Sequence, residues 1–160
     1  MSEIQILATG PELVKEGVRA IEPVVQEIML GASKEIQIVG YVFTPHANQV
    51  LGLAQRAAEK GITVTFVVNN LDSQNEKVRF ELLRLRNNYS RVRVVDFHDK
   101  EGRQLHAKVV VVDRQSAVIG SANFSWGGMV ANYEIGVLIV GDAAWKLAQV
   151  IDRLTLWGNK

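Results

Sequence analysis

His106 and Lys108 stand two positions apart, and Asp113, Gly120, Ser121 and Asn123 follow at intervals that read H-x-K-x4-D-x6-G-S-x-N. On an extended chain, residues two apart project from the same face, so an imidazole sits beside an ammonium while Ala107 and Val109 turn away. That pairing suits attack on an anionic phosphodiester: a neutral imidazole is the nucleophile, and a fixed cation binds the non-bridging oxygens. Ser121 and Asn123, again two apart, add a hydroxyl and an amide donor for the same phosphate. Gly120 lets the backbone approach closely. Asp113 falls at a corner between two strands, where Asp also serves local backbone hydrogen bonds, so a catalytic and a structural role both fit it. Six specified residues at fixed spacing arise by chance in about one in a million chains of this size.

The spacing resembles the signature of the phospholipase D superfamily, whose members transfer phosphodiesters through a phosphohistidine. Every signature position is filled, and the resemblance extends upstream through residues 36–44 and 61–64 to most of the chain. It implies that His106 is the nucleophile and that Lys108, Ser121 and Asn123 hold the phosphate. It also implies that Glu134, the acidic residue beyond the following loop, hydrogen-bonds the nucleophilic imidazole. Such a carboxylate fixes the tautomer and stabilises the imidazolium that forms. The superfamily reaction uses two histidines on opposite sides of phosphorus, and this chain has one motif. Neither His46 nor His98 is followed by a lysine two residues on or by a downstream Gly-Ser-x-Asn. The resemblance therefore implies a homodimer with the active site on its two-fold axis, which duplicates every group, as in the small single-motif bacterial endonucleases of the superfamily. The two imidazoles then titrate as a coupled pair, with a bell-shaped pH dependence. No cofactor and no metal are implied, and the His98, Asp99, Glu101 and His106 spacing fits no zinc pattern.

Lys77, Arg79, Arg84, Arg86, Arg91 and Arg93 are opposed between positions 77 and 93 only by Glu81. They make either a basic surface for a phosphate backbone or a solvated helix face with ordinary salt bridges. Trp126 and Tyr133 flank Gly127-Gly128, to stack on a base or to pack in the core. The leading expectation is a metal-independent nuclease acting on DNA or RNA. The alternatives are a phospholipid phosphodiesterase, of the phospholipase D or cardiolipin hydrolase type, and a non-catalytic nucleic-acid-binding subunit of a bacterial defence complex. No side chain singled out here reads a base edge, so the type of nucleic acid stays open.

The elements that must position these residues follow from periodicity. Residues 35–43 alternate and are rich in β-branched and aromatic types; 47–60 reads as a helix ending at Gly61, and 62–68 as a second strand. Strand, helix, strand with a short connection is a right-handed βαβ unit. Residues 74–88 supply a further helix and 92–97 a further strand. Residues 109–112 and 117–120, about a turn near Arg114-Gln115, make a tight hairpin, and 134–140 gives another strand. Upstream, Thr9 and Glu12 have capping-box spacing, which predicts a helix from there to about Leu30, broken or kinked at Pro23. Asp142 is placed as the cap of a last helix running to about Trp157. The expected class is α/β: a mixed, largely parallel sheet of about six or seven strands with helices on both faces, in one domain over residues 1–160.

Composition sets the outer bounds. The chain has 160 residues, 48% apolar and 22% charged, with a formal net charge of +1. That is ordinary globular usage, enough for one core but not for separate substrate and cofactor domains. The absence of cysteine excludes disulfide scaffolds, thiolate metal sites and a cysteine nucleophile. Met1 to Gln5 carries no signal-like pattern and no long apolar run follows, so a cytoplasmic protein without a stable membrane anchor is expected.

Overall fold

The computed structural model describes residues 1–159. The expected βαβ region forms, with its first strand ending three residues short of the expected 43: β3 (Glu35–Gly40), α2 (Asn48–Glu59), β4 (Thr63–Asn69), α3 (Glu76–Asn88) and β5 (Val92–Phe97). The three strands pair in parallel, Ile36 opposite Val64 and Val64 opposite Val92. The hairpin of β6 (Val109–Val112) and β7 (Ser116–Gly120) adds antiparallel strands to the other side of β3, followed by β8 (Glu134–Gly141).

The N-terminal helix expected from Thr9 is not there. Ser2–Thr9 is a strand, β1, paired antiparallel along its whole length with β8. The chain then turns through Gly10, Glu16 and Gly17, all at positive φ, and makes a two-residue strand, β2 (Arg19–Ala20). Only Ile21–Leu30 is helical, as α1. Three positive φ values within eight residues break any helix, and the capping-box spacing of Thr9 and Glu12 was a coincidence of residue types. Pro23 does not kink α1: it is the third helical residue, where the backbone N–H would have no partner within the helix.

The sheet therefore has eight strands in the order β2-β1-β8-β7-β6-β3-β4-β5, one or two more than expected. It is mixed, but antiparallel pairings outnumber parallel ones by four to three, because the hairpin and β1 enter beside a three-stranded parallel block. Helices cover both faces, as expected. On one face, α1, α2 and α3 bury Val24, Leu51, Ala54 and Leu82 against Ile36, Ile38, Val64, Phe66 and Val110. On the other, α4 (Asp142–Leu154) lays Ala144, Ala148 and Ile151 on Val39, Val67, Val109, Val111 and Ala117. β6 is four valines, all buried, two for each core. It needs apolar side chains on both faces because both faces are covered.

Asp142 is not the helix cap. The cap position is Gly141, at φ 108, and Asp142 lies in the first turn with its carboxylate 2.9 Å from the Met1 amino group. The Ser2 hydroxyl accepts from the Ala143 N–H at 2.9 Å, so a side chain of β1 does the capping. α4 stops at Leu154 and a 3-10 turn, Thr155–Asn159, carries the chain beyond Trp157. Among the described residues no helix is long and apolar enough to cross a membrane.

Candidate active site

The signature residues gather where β3 and β4 end and β6 begins. His106 and Lys108 precede and enter β6, which runs antiparallel to β3, so they stand beside Tyr41 at the carboxyl end of β3. Open α/β sheets place ligands at this edge, beside the point where strand order reverses.

Lys108 is only 7% exposed. Its Nζ donates to the His106 carbonyl at 2.7 Å and lies 2.9 Å from Nδ1 and 3.2 Å from Nε2 of the same imidazole. An ammonium has only donors, so it is directed at a lone pair of the ring. Burial pushes the Lys108 ammonium below its ordinary range, while the negative charge of Glu134 pulls it back up. The Tyr41 ring packs on the imidazole, centroids 4.4 Å apart and planes at 52°, and the Lys108 ammonium stands 5.3 Å from the Tyr41 ring centre. Tyr41 was read only as a strand residue, since nothing in its local sequence announces a partner 65 positions away.

Ser121 follows β7, and its hydroxyl donates to the Glu134 carboxylate and accepts from the Ile135 N–H at 3.2 Å. The other Glu134 oxygen accepts from Asn132 Nδ2 at 3.2 Å. Glu134 thus lies in the site and its charge reaches Lys108, but its hydrogen bonds run to Ser121 and Asn132 rather than to the His106 imidazole. Asn123 has a buried Oδ1 with no hydrogen-bond partner among the described residues. Two glycines are sterically required. A Cβ at Gly120 would stand 2.6 Å from the Ile135 carbonyl oxygen, and one at Gly128 would stand 2.4 Å from the Asn123 carbonyl oxygen. Gly128 belongs to a π-helical turn, Gly127–Ala131, that presses on the Asn123 backbone.

Asp113 is not in this group. It sits at the opposite end of β6, in the left-handed region at φ 52. Its carboxylate accepts four hydrogen bonds, from the Ser33 N–H and hydroxyl (both 2.8 Å) and from the Lys34 (2.7 Å) and Glu35 (2.9 Å) N–H groups. Burial alone would raise its pKa, but these donors, Glu35 foremost, outweigh it and hold the carboxyl below the usual range. These bonds tie the hairpin to the start of β3. Beside it, Arg114 forks onto Asp152 of α4 at 2.7 and 3.0 Å and also pairs with Glu35.

The six basic residues do not form one surface. Lys77 and Arg79 are on the first turns of α3, at the site's end of the sheet. α3 then runs away for 13 residues, about 20 Å. Arg84 is paired with Glu81 and Gln55, both at 2.8 Å, and Arg91 lies at the far end, before β5. Arg93 is on the sheet face that α4 covers and donates to the Thr155 carbonyl at 2.9 Å. Trp126 is 59% exposed and Tyr133 65%, so neither packs in the core. His46 pairs with Glu22 at 2.7 Å and His98 with Asp96 at 3.0 Å, which leaves His106 as the histidine of the lysine pair.

Comparison with known proteins gives the frame. Residues 25–155 match the family described as "Cardiolipin synthase, PLD-like domain". The DISARM protein DrmC of Bacillus paralicheniformis is 32% identical over 155 residues, covering 96% of this chain and 63% of that protein. Cardiolipin synthase A of Yersinia pseudotuberculosis is 28% identical over 157 residues, covering 93% of this chain and 30% of the relative. The chain thus spans less than two thirds of the curated relatives it matches. Two solved structures share the fold: Nuc of Salmonella typhimurium, a phospholipase D family member (TM-score 0.75, 21% identity, 99% of this chain and 95% of that one), and NucT of Helicobacter pylori (TM-score 0.78, 17% identity, 98% of each). A matched region running from α1 through α4, carried on this sheet with its His–Lys pair at the reversal point, makes the chain a member of the phospholipase D superfamily.

Proposed function

We propose that the protein is a metal-independent nuclease that cleaves DNA or RNA through a phosphohistidine, at a site completed by a second copy of the chain. The observation that carries this reading is the Lys108 ammonium, buried and within 3.2 Å of both His106 ring nitrogens. It supplies beside the nucleophile the positive charge that a phosphodiester requires. A ring nitrogen of His106 bonds to phosphorus as the bond to the leaving oxygen breaks. His106 of the partner subunit, protonated, gives that oxygen its proton. The same partner imidazole, now neutral, takes a proton from water as the water oxygen displaces His106 from phosphorus, which restores both rings. Lys108 neutralises the non-bridging oxygens, and the Asn123 amide offers them Nδ2 as a donor. Glu134 acts by its charge on Lys108, and a direct bond to the His106 imidazole requires the carboxylate to leave Ser121.

A second copy is supported by the exposed apolar side chains Trp126, Val130, Tyr133 and Ile135, all on the segment that borders the site. Lys77, and Arg79 beside its partner Asp72, are the cations this reading assigns to a backbone phosphate. Two further readings each have an observation behind them. The cardiolipin synthase relatives favour a phospholipid phosphodiester as substrate, and the DrmC relative favours a place in a defence system.

The test is cleavage of labelled single-stranded DNA, duplex DNA, RNA and phosphatidylglycerol vesicles in excess EDTA, with wild type beside His106→Ala. Cleavage of a nucleic acid by wild type alone is expected. Cleavage of the lipid alone overturns the nuclease reading, and equal cleavage by both proteins overturns the phosphohistidine. Sedimentation must show dimers at active concentrations; an active monomer removes the shared site.

A further inference from the structure

Two buried amides outside the signature stand immediately behind the nucleophile. Gln74, 8% exposed, uses three of the four bonding positions of its side chain on the ends of two strands. Its Nε2 donates to the Tyr41 carbonyl (2.9 Å) and the Asn69 carbonyl (2.7 Å), and its Oε1 accepts from the Phe43 N–H (2.9 Å). Asn69, 4% exposed and last in β4, accepts the Leu105 N–H on its Oδ1 at 2.8 Å and donates from Nδ2 to Gln104 Oε1 at 2.9 Å. The two amides are joined through the Asn69 carbonyl. One end of this clamp holds the backbone of Tyr41, whose ring lies on the His106 imidazole. The other holds the backbone of Leu105, the residue before His106.

We infer that Gln74 and Asn69 are positioning residues that set the His106 imidazole by holding the chain on both sides of it. The segment from Gln104 to Ala107 lies in no strand or helix, so its local ladder does not fix the ring. What fixes it is the Leu105 N–H to Asn69 bond below, Tyr41 beside it and Lys108 after it. The bonds from the Phe43 and Leu105 N–H groups and to the Asn69 carbonyl are buried, so losing one of them leaves an unpaired polar atom rather than a hydrated one. A displacement of about 1 Å in a reacting group can cost about a hundredfold in rate. Substrate binding does not use these amides, so their loss acts on turnover. The inference rests on the reading of His106 as nucleophile, and the first readout below is independent of activity.

The variants are Gln74→Met, which keeps length and removes all three bonds, Asn69→Ala, which removes both of its bonds, and Asn69→Asp. The aspartate keeps the acceptor for Leu105, and rotation of the Gln104 amide lets it bond the second carboxylate oxygen. Imidazole resonances are followed by NMR, with His46 and His98, held by Glu22 and Asp96, as internal references. In Gln74→Met and Asn69→Ala, the His106 ring protons should lose the upfield shift from Tyr41 while the other two histidines stay in place. Shifts of all three histidines together, or of none, overturn the inference whether or not the protein is a nuclease. In the cleavage assay, kcat should fall about 10- to 100-fold in Gln74→Met and Asn69→Ala, with KM within about twofold. Asn69→Asp should recover most of that loss. Equal loss in Asn69→Ala and Asn69→Asp, or unchanged kcat in a variant whose His106 resonances have moved, also overturns it.

Discussion

Asp113 is the signature residue that stands at the far end of β6 from the His–Lys pair, and its replacement separates fold from chemistry. Asp113→Asn is the cleaner change, because Asn tolerates the left-handed conformation at φ 52 that Ala does not. The variant keeps one carbonyl oxygen and presents an amide donor where the other oxygen was, so two of the four hydrogen bonds are lost and donor faces donor. A hydrogen bond to a charged acceptor contributes about 1.5–3 kcal/mol, and partial solvent access reduces two of them to about 2–4 kcal/mol together. For a chain of this length each kcal/mol moves Tm by about 3 °C, so a drop of about 6–12 °C is expected. The pH dependence has a definite sign. The folded-state carboxyl is held below its ordinary value of about 3.9, so its contribution is complete above that value and is lost as pH falls through the depressed one. The gap between wild type and variant should therefore be full at neutral pH and narrow below about pH 4. Calorimetry from pH 3 to 7 measures it, with cleavage assayed at a temperature where both proteins are folded. kcat should stay within about threefold, since the carboxylate is at the opposite end of β6 from Lys108. An unchanged Tm with a loss of turnover of tenfold or more would refute this assignment.

His106→Ala should abolish turnover while leaving Tm within about 2 °C, because the ring lies outside both cores. Glu134→Gln removes the charge that supports the Lys108 ammonium, so Lys108 should deprotonate at lower pH in an NMR titration of its Nζ; an unmoved Lys108 titration would refute the coupling. Gly120→Ala drives a Cβ into the β8 backbone and should destabilise by about 1–3 kcal/mol in denaturant melts. Lys77→Ala with Arg79→Ala should weaken nucleic-acid binding and flatten its salt dependence, whereas Arg93→Ala should leave binding alone and lower Tm, since Arg93 serves the Thr155 carbonyl.

Much of this architecture is legible in the chain because it is local. Local pattern marks β5 and β6 to the residue and the rest of the parallel block to within three, since alternation, β-branched runs and Gly61 act over a few positions. The His–Lys pair was legible because a strand puts residues two apart on one face. β1 is hard to see locally because its apolar residues do not keep a strict alternation, and Ile4 and Ile6 lie exposed while Leu7, Ala8 and Thr9 are buried together. The clamp was invisible for a different reason. Phe43 meets Gln74 across 31 positions and Asn69 meets Leu105 across 36, and an amide carries no mark of the partner it will find. The basic residues failed as one surface because a helix running antiparallel to the strand that follows it carries its charges from one end of the sheet to the other.

The four valines of β6 give the signature's internal spacing a meaning of its own. Paired on both sides, the strand can neither slide nor shorten, and at about 3.3 Å per residue its four positions measure about 13 Å. The gap between Lys108 and Asp113 is thus a ruler: one end marks where chemistry faces solvent, the other where the hairpin is nailed to the sheet. Adding or deleting a single valine would roll one of the two marks onto the wrong side of the sheet. Evolution can exchange the letters inside the gap among apolar types, but it cannot edit their number, so a search for this spacing detects the length of a buried strand as much as it detects an active site.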